Sequence, residues 1–379
     1  MKVVIIGGVA GGASCAARLR RLDENAEIVM VERGPYVSYA NCGLPYHVGG
    51  IIADEASLLI ASPQLFRDQF AIEVRTNTEA VAIDAKAKTV CLRDVTTGTT
   101  KLESYDKLVL SPGAVSIKPP IPGIDHPSIF HVRTVPDARA IRAWMTSNPK
   151  GKRAVVIGGG FIGLEMVENL VHRGFDVTLL ELADQVLAPL DVEQSRVVED
   201  VLRRHGVALA LGEAVSGFVH QASGEIDVLT KAGTTYTANI VILALGVRPD
   251  TELAKSAGLK LGERGGIRVD EQMRTSDHDI YAVGDAVEVH DMVTGADTLL
   301  ALAGPANRQG RIAADAIKGR PSRFRGVQGT AIIGLFGTTV AWTGASEKTL
   351  RRLGREDFEK IYLYPNHHAR YYPGAKTIS

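Results

Sequence analysis

Val155-Val-Ile-Gly158-Gly-Gly160-Phe-Ile-Gly163 reads as a short apolar strand that breaks on glycines and restarts as a helix. Glycine fills all three positions of the Gly-x-Gly-x-x-Gly spacing, which lets helix N-terminal amides meet a pyrophosphate. The helix continues through Leu164, Val167, Leu170 and Val171, and Asp176 to Glu181 forms the next strand. Glu181 closes that strand 23 residues after Gly158. An acid there accepts from a free ribose 2′-hydroxyl and repels a 2′-phosphate, so NADH is favoured over NADPH.

The same sentence is written once before. Val3-Val-Ile-Ile-Gly7-Gly-Val9-Ala-Gly-Gly12 runs from a strand at 2–7 into a helix at 12–23, and Ile28 to Glu32 completes a β-α-β unit. Gly7 and Gly12 fill the outer positions, but Val9 stands at the middle one, with Gly8 and Gly11 beside it. Glu32 follows Gly7 by 25 residues, close to the ribose-acid spacing. A second strand end, Ile280-Tyr-Ala-Val-Gly284-Asp285, offers the further polar anchor that the extended ribityl chain of FAD needs. Two dinucleotide sites in one chain imply two cofactors face to face, one passing electrons to the other.

Between the copies lies Ser38-Tyr-Ala-Asn41-Cys42-Gly-Leu-Pro-Tyr46. Asn41, Gly43 and Pro45 interrupt regular structure and give Cys42 access. A helix N-terminus and nearby donors would lower its pKa. Val37 and His47 stand five residues to either side, so no internal disulfide forms. Cys42 must form a mixed disulfide, a persulfide or a sulfenic acid instead. Cys15, in an alanine-rich helix, and Cys91, in an alternating strand, read as inert.

The remaining chain sets bounds. Its 379 residues suffice for two or three domains, and 43 basic against 43 acidic residues favour neither nucleic acid nor an anionic membrane as partner. Three scattered cysteines suit a reducing cytoplasm rather than a disulfide framework. There is no apolar run long enough to span a membrane, and the start is too short and glycine-broken for a secretory leader. Lys118-Pro-Pro-Ile-Pro-Gly123 reads as a stiff crossing and Val247-Arg-Pro-Asp250 as its return. The division predicted is a discontinuous FAD-binding domain over 1–117 and 247–322, an NAD(P)H-binding domain over 118–246, and a small unit over 323–379. The last is thin for an independent core, which suggests a missing C-terminal part. Arg18 and Arg21 share a helix face and suit a phosphorylated substrate. His367 and His368 have no carboxylate or cysteine at a useful spacing, so no metal site is expected.

Together these residues resemble the one-cysteine branch of the pyridine-nucleotide–disulfide oxidoreductases, in particular CoA-disulfide reductases. The matching stretches are Gly7–Ser14, Ser38–Tyr46, Leu110–Ala114, Tyr281–Asp285, Ala306–Arg311 and Tyr371–Ala375, with Glu32–Ser38 most similar to NADH-dependent persulfide and polysulfide reductases. The resemblance implies an α/β fold of two Rossmann-like domains plus an incomplete C-terminal α+β interface domain. It implies that FAD meets Gly7, Gly8, Gly11, Gly12, Glu32, Arg33, Val81, Ser111, Gly113, Arg133, Gly284, Asp285, Leu302 and Ala303. NAD(P)H would meet Gly158, Gly160, Phe161, Ile162, Gly163, Glu181 and Gly246. Coenzyme A, as substrate or resting mixed disulfide on Cys42, would lie along Ser14, Arg18, Arg21, Ser38 and Asn41. Tyr371 and Tyr372 would approach the sulfur chemistry from the third domain, and the full-length form would be a homodimer. Such relatives run on past the Tyr-Tyr-Pro-Gly stretch, some into a rhodanese domain, so a fragment is expected. Oxidases and peroxidases of the branch carry a histidine in the first glycine loop where this chain has Ala10. An NADH oxidase or peroxidase cycling a sulfenate, and a ferredoxin-reductase-like carrier, remain the alternatives.

Overall fold

The computed structural model describes residues 1–378. The first sheet has five parallel strands, in the order Ile280–Ala282, Lys107–Leu110, Lys2–Ile6, Glu27–Val31 and Glu73–Arg75. Val3, Val4 and Ile5 are fully buried, as a central parallel strand covered on both faces must be. The second sheet repeats the plan with Ile129–His131, Ile240–Leu243, Arg153–Ile157, Asp176–Glu181 and Ala208–Leu211, all parallel. Its edge strand Ile129–His131 comes from the segment that enters this half.

Each half also carries a three-stranded antiparallel meander, on the connection into Lys107–Leu110 in the first and into Ile240–Leu243 in the second. These are Thr78–Asp84, Thr89–Asp94 and Thr100–Ser104 in one half, and Val215–His220, Ile226–Thr230 and Thr235–Ala238 in the other. The chain crosses between halves on Ala114–Ser116 and returns on Val247–Pro249, and these two strands pair antiparallel.

Sequence and structure differ at element edges. The first helix spans Ala10–Leu22 and takes Gly11 and Gly12 inside it. A Cβ on Gly12 would lie 1.9 Å from the Gly7 carbonyl oxygen, so glycine there is a packing requirement. The apolar run at 107–114 is two strands, because Gly113 turns the chain with φ +73°. The helix after Asp285 begins at Ala303 and runs to Ile317.

Among the described residues, the C-terminal unit makes no core of its own. Its hairpin, Ala331–Leu335 with Thr338–Trp342, buries Ile333 and Leu335 in the core of the second half. A one-and-a-half-turn helix, Glu347–Arg352, follows, and beyond it residues 354–378 are mostly exposed.

Candidate active site

The two glycine loops agree down to single hydrogen bonds. Gly7 N donates to Val31 O and Gly158 N to Leu180 O, both at 2.8 Å. Gly8 N donates to Glu32 Oε2 at 2.9 Å, and Gly159 N to Glu181 Oε2 at 2.6 Å. Each acid also accepts the amide two residues further on, Gly34 at 2.9 Å and Ala183 at 2.8 Å. The helices that follow, Ala10–Leu22 and Phe161–His172, have no side-chain cap, whereas Thr134 and Asp137 cap Val135–Ser147 reciprocally. Uncapped amides at the end of a glycine loop are an anion site. A Cβ on Gly160 would meet nothing within 4 Å, which leaves the approach to those amides clear. These residues fit FAD at the first loop and a nicotinamide dinucleotide at the second. Val9 takes the place of Gly160 in the first loop and lines the adjoining cavity.

Around the first loop, Ser111 Oγ accepts Gly12 N at 3.1 Å, and Gly284 N donates to Gln309 Oε1 at 2.7 Å. Arg133 reaches Asp285 at 3.2 Å through Nη2 and Ala114 O at 3.1 Å through Nε, with Gly113 directly beneath its guanidinium. Leu302 precedes the helix that Ala303 opens. Val81 lies at a β-bulge between Ala80 and Ala82, and Arg33 is exposed, 3.8 Å from Glu79. At the second loop, Ile162 is half-buried and Gly246 turns the strand end with φ +89°.

Cys42 opens into a cavity of about 620 Å³ that runs along one face of the first helix. Ala10, Ala13, Ser14, Ala17, Arg18 and Arg21 line it at three- and four-residue steps. At 1.5 Å per residue that stripe is about 16 Å long. Ser38 N donates to Gly8 O at 2.7 Å, which ties the cysteine segment to the loop end. At the far end Arg21 lies over the Phe70 ring, 5.8 Å from its centroid. The opposite wall is Ala303, Asn307 and Arg311. The two helices touch because Gly310 has no Cβ; one would sit 2.2 Å from Gly11 O. Cys15 is sealed in that contact, and burial pushes its thiol up to about 12. Cys91 lies partly buried within the strand Thr89–Asp94.

The surroundings of Cys42 differ from the expected thiolate trap. Burial among its neighbours pushes the thiol up, and the Glu165 and Asp285 carboxylates push it the same way. The cause is that the turn Asn41–Gly43 faces acids and apolar walls, and no cation stands among the groups that shift it. Glu165 itself is raised to about 7, first by burial and further by Glu168, with the Tyr46 hydroxyl opposing the shift. Tyr46 Oη donates to Glu165 Oε1 at 3.4 Å, so the segment after Cys42 reaches the nucleotide-binding helix. Ser38 adopts φ +46°, a left-handed strain of the kind that gathers at functional sites. Asn41 Nδ2 donates to Arg133 O at 3.4 Å.

Of the arginine pair, Arg18 is already engaged: its Nε donates to Asp315 Oδ1 at 2.9 Å. Arg21 and Arg311 are the cations left facing the cavity, and sequence reasoning missed Arg311 as a lining residue. Asn307 and Arg311, one turn apart on one helix, were the available signal. Tyr371 and Tyr372 are not brought to Cys42 within this chain. Tyr371 is 90% exposed, and the Tyr372 ring lies tilted against His368, centroids 4.6 Å apart, instead. His367 and His368 turn their Nδ1 atoms toward each other at 3.2 Å. Asp277, His278 and Asp279 cluster elsewhere, but Lys88 and Lys107 already pair with Asp279. Among the described residues no helix is long and apolar enough to cross a membrane.

The model of a family described as pyridine nucleotide-disulphide oxidoreductase matches residues 1–310. Coenzyme A disulfide reductase of Staphylococcus epidermidis is 33% identical over 379 residues, spanning 100% of this chain and 84% of that protein. The crystal structure of reduced Bacillus anthracis CoADR-RHD is similar with a TM-score of 0.96 and 47% identity, over 99% of this chain and 67% of that one. A NAD-dependent persulfide reductase from A. fulgidus is similar with a TM-score of 0.94 and 39% identity, over 100% and 70%.

Proposed function

This chain belongs to the pyridine nucleotide-disulphide oxidoreductases, and from that premise we propose that it reduces CoA-linked disulfides or persulfides with NADH through Cys42. The carrying observation is the cavity. The Cys42 sulfur and Arg21 both line it, and the helix stripe that ends at Arg21 is about 16 Å long. A thiol on a long arm that ends in a phosphorylated nucleotide suits both ends at once.

FAD at Gly7–Glu32 and NADH at Gly158–Glu181 would supply the electron pair that the reaction consumes. The Cys42 thiolate attacks one sulfur of the incoming disulfide; a new sulfur–sulfur bond forms and the other sulfur leaves as a thiolate. Two electrons then cleave the Cys42 mixed disulfide, which releases the second thiolate and restores Cys42. Ser38 and Asn41 hold the turn at the glycine loop and at Arg133, so the sulfur is presented on rigid backbone. Arg21 and Arg311 hold phosphate, and Glu181 selects the unphosphorylated ribose of NADH. The reading includes a cytoplasmic homodimer. The exposed apolar run Ile361–Tyr364 supports a second copy as its cover, with Tyr371 and Tyr372 serving the neighbouring site.

The test is Cys42→Ser. Its flavin is expected to bleach with NADH while CoA-disulfide turnover disappears. Retained turnover removes Cys42 from the reaction, and oxygen uptake at the disulfide rate by the wild type would favour an oxidase instead. Mass spectrometry of untreated protein is expected to find a CoA adduct on Cys42.

A further inference from the structure

Residues 331–348 grip the second glycine loop at two points. Trp342, at the end of the hairpin, stacks on Phe161 with ring centroids 5.0 Å apart and planes at 21°. Phe161 is the first residue of the nucleotide-binding helix, directly after Gly160. The hairpin is pinned alongside: Phe336 N donates to Glu168 Oε1 at 2.6 Å, and the Phe336 ring stacks on His205 at 4.1 Å.

The second grip is Lys348. Its Nζ donates to Gln185 Oε1 at 2.8 Å and to Ala188 O at 2.9 Å. Gln185 is buried and donates onward to Leu190 O at 3.1 Å. Between these anchors Leu187 holds φ +46°, a strained left-handed turn, and its N donates to Gly159 O at 2.8 Å. Gly159 is the residue whose amide meets Glu181. Lys348 thus holds, from outside, the loop that fixes Gly159 and the ribose acid.

We propose that Trp342 and Lys348 are positioning residues for the nicotinamide dinucleotide, so that the C-terminal unit sets NADH affinity. This rests on the reading of Gly158–Glu181 as the NADH site. Without the Lys348 ammonium, Gln185 and Ala188 lose a shared donor and the strained turn at Leu187 is free to relax. Without Trp342, Phe161 loses the partner that fixes its ring at the helix start. The first change acts on the adenosine half and the second on the loop end.

Lys348→Met is expected to raise KM for NADH about tenfold and to weaken inhibition by ADP-ribose in proportion. KM for CoA disulfide and flavin content should stay at wild-type values. Trp342→Ala is expected to slow flavin bleaching by NADH several-fold, and Trp342→Phe to restore it. Wild-type NADH and ADP-ribose constants in Lys348→Met, or wild-type bleaching in Trp342→Ala, at normal flavin content, would overturn the inference. Loss of flavin from Lys348→Met together with wild-type bleaching in Trp342→Ala would overturn it equally. A wild-type protein that NADH cannot bleach would defeat the cofactor reading itself.

Discussion

Arg18 and Asp315 bind the two helices of the cavity to each other: Nε and Nη2 of the arginine lie 2.9 and 2.8 Å from the same carboxylate oxygen. Asp315 also accepts from the Ser322 hydroxyl and is nearly buried. Arg18 is therefore engaged in a structural pair, and on the proposed reading the substrate's phosphates would fall to Arg21 and Arg311.

Arg18→Ala is expected to cost about 1–3 kcal/mol of stability, less than a fully buried pair because the arginine keeps some solvent. Arg21→Ala should leave the melting temperature unchanged and raise KM for CoA disulfide about fivefold to tenfold, the loss of one charge-assisted contact. Melting curves and steady-state kinetics on both variants check this. The opposite assignment of effects would return Arg18 to the substrate.

Glu181→Gln should reduce the preference for NADH over NADPH by about tenfold in kcat/KM, roughly 1.4 kcal/mol. The amide no longer repels a 2′-phosphate, and it can satisfy only one of the Gly159 and Ala183 amides that Glu181 accepts. Kinetics with both nucleotides measure the ratio, and an unchanged ratio would take selectivity away from this residue.

Burial holds the Glu165 carboxyl at about 7, above its ordinary 4.5. A raised carboxyl means that the folded chain favours the proton. The stabilisation it gives is complete below pH 4.5 and lost as pH rises through 7. Glu165→Gln is expected to flatten the decline in melting temperature over that window, measured by thermal denaturation in a pH series. Identical slopes in variant and wild type would show that the carboxyl is not held neutral.

Gly310→Ala should lose flavin. Its new methyl group would meet Gly11 O and Cys15 N in the tightest part of the helix pair, so the first loop must shift. A destabilisation of about 1–3 kcal/mol is expected, read as a lower flavin absorbance per protein after purification.

The nucleotide halves were legible because glycine has few reasons to recur at that spacing after an apolar strand. Both loops and both acids, Glu32 and Glu181, fall where the periodicity located them. Cys42 was legible as accessible and is exposed. Asn41, Gly43 and Pro45 do not interrupt structure as expected, however: Asn41–Gly43 form a 3-10 turn that runs into the helix Leu44–Gly49. Pro45 lies in the first turn of that helix, where proline costs no hydrogen bond. The electrostatics of Cys42 were not legible, because Glu165 lies 123 positions away in sequence and only the packing of the helix Phe161–His172 brings it near. The occupation of Arg18 by Asp315 was hidden for the same reason. Helix periodicity reports a shared face, not the partner that covers it. The grip of Trp342 on Phe161 joins residues whose own neighbourhoods carry no sign of each other.

The interleaved order of strands dictates a sequence of assembly. Ile280–Ala282 must pair with Lys107–Leu110 to finish the first sheet, yet every strand of the second sheet lies between them in the chain. During synthesis from the N-terminus, the inner sheet is complete while the outer one still lacks its border strand. The first half must wait on the ribosome as an unfinished edge, and the second half, emerging later, closes first.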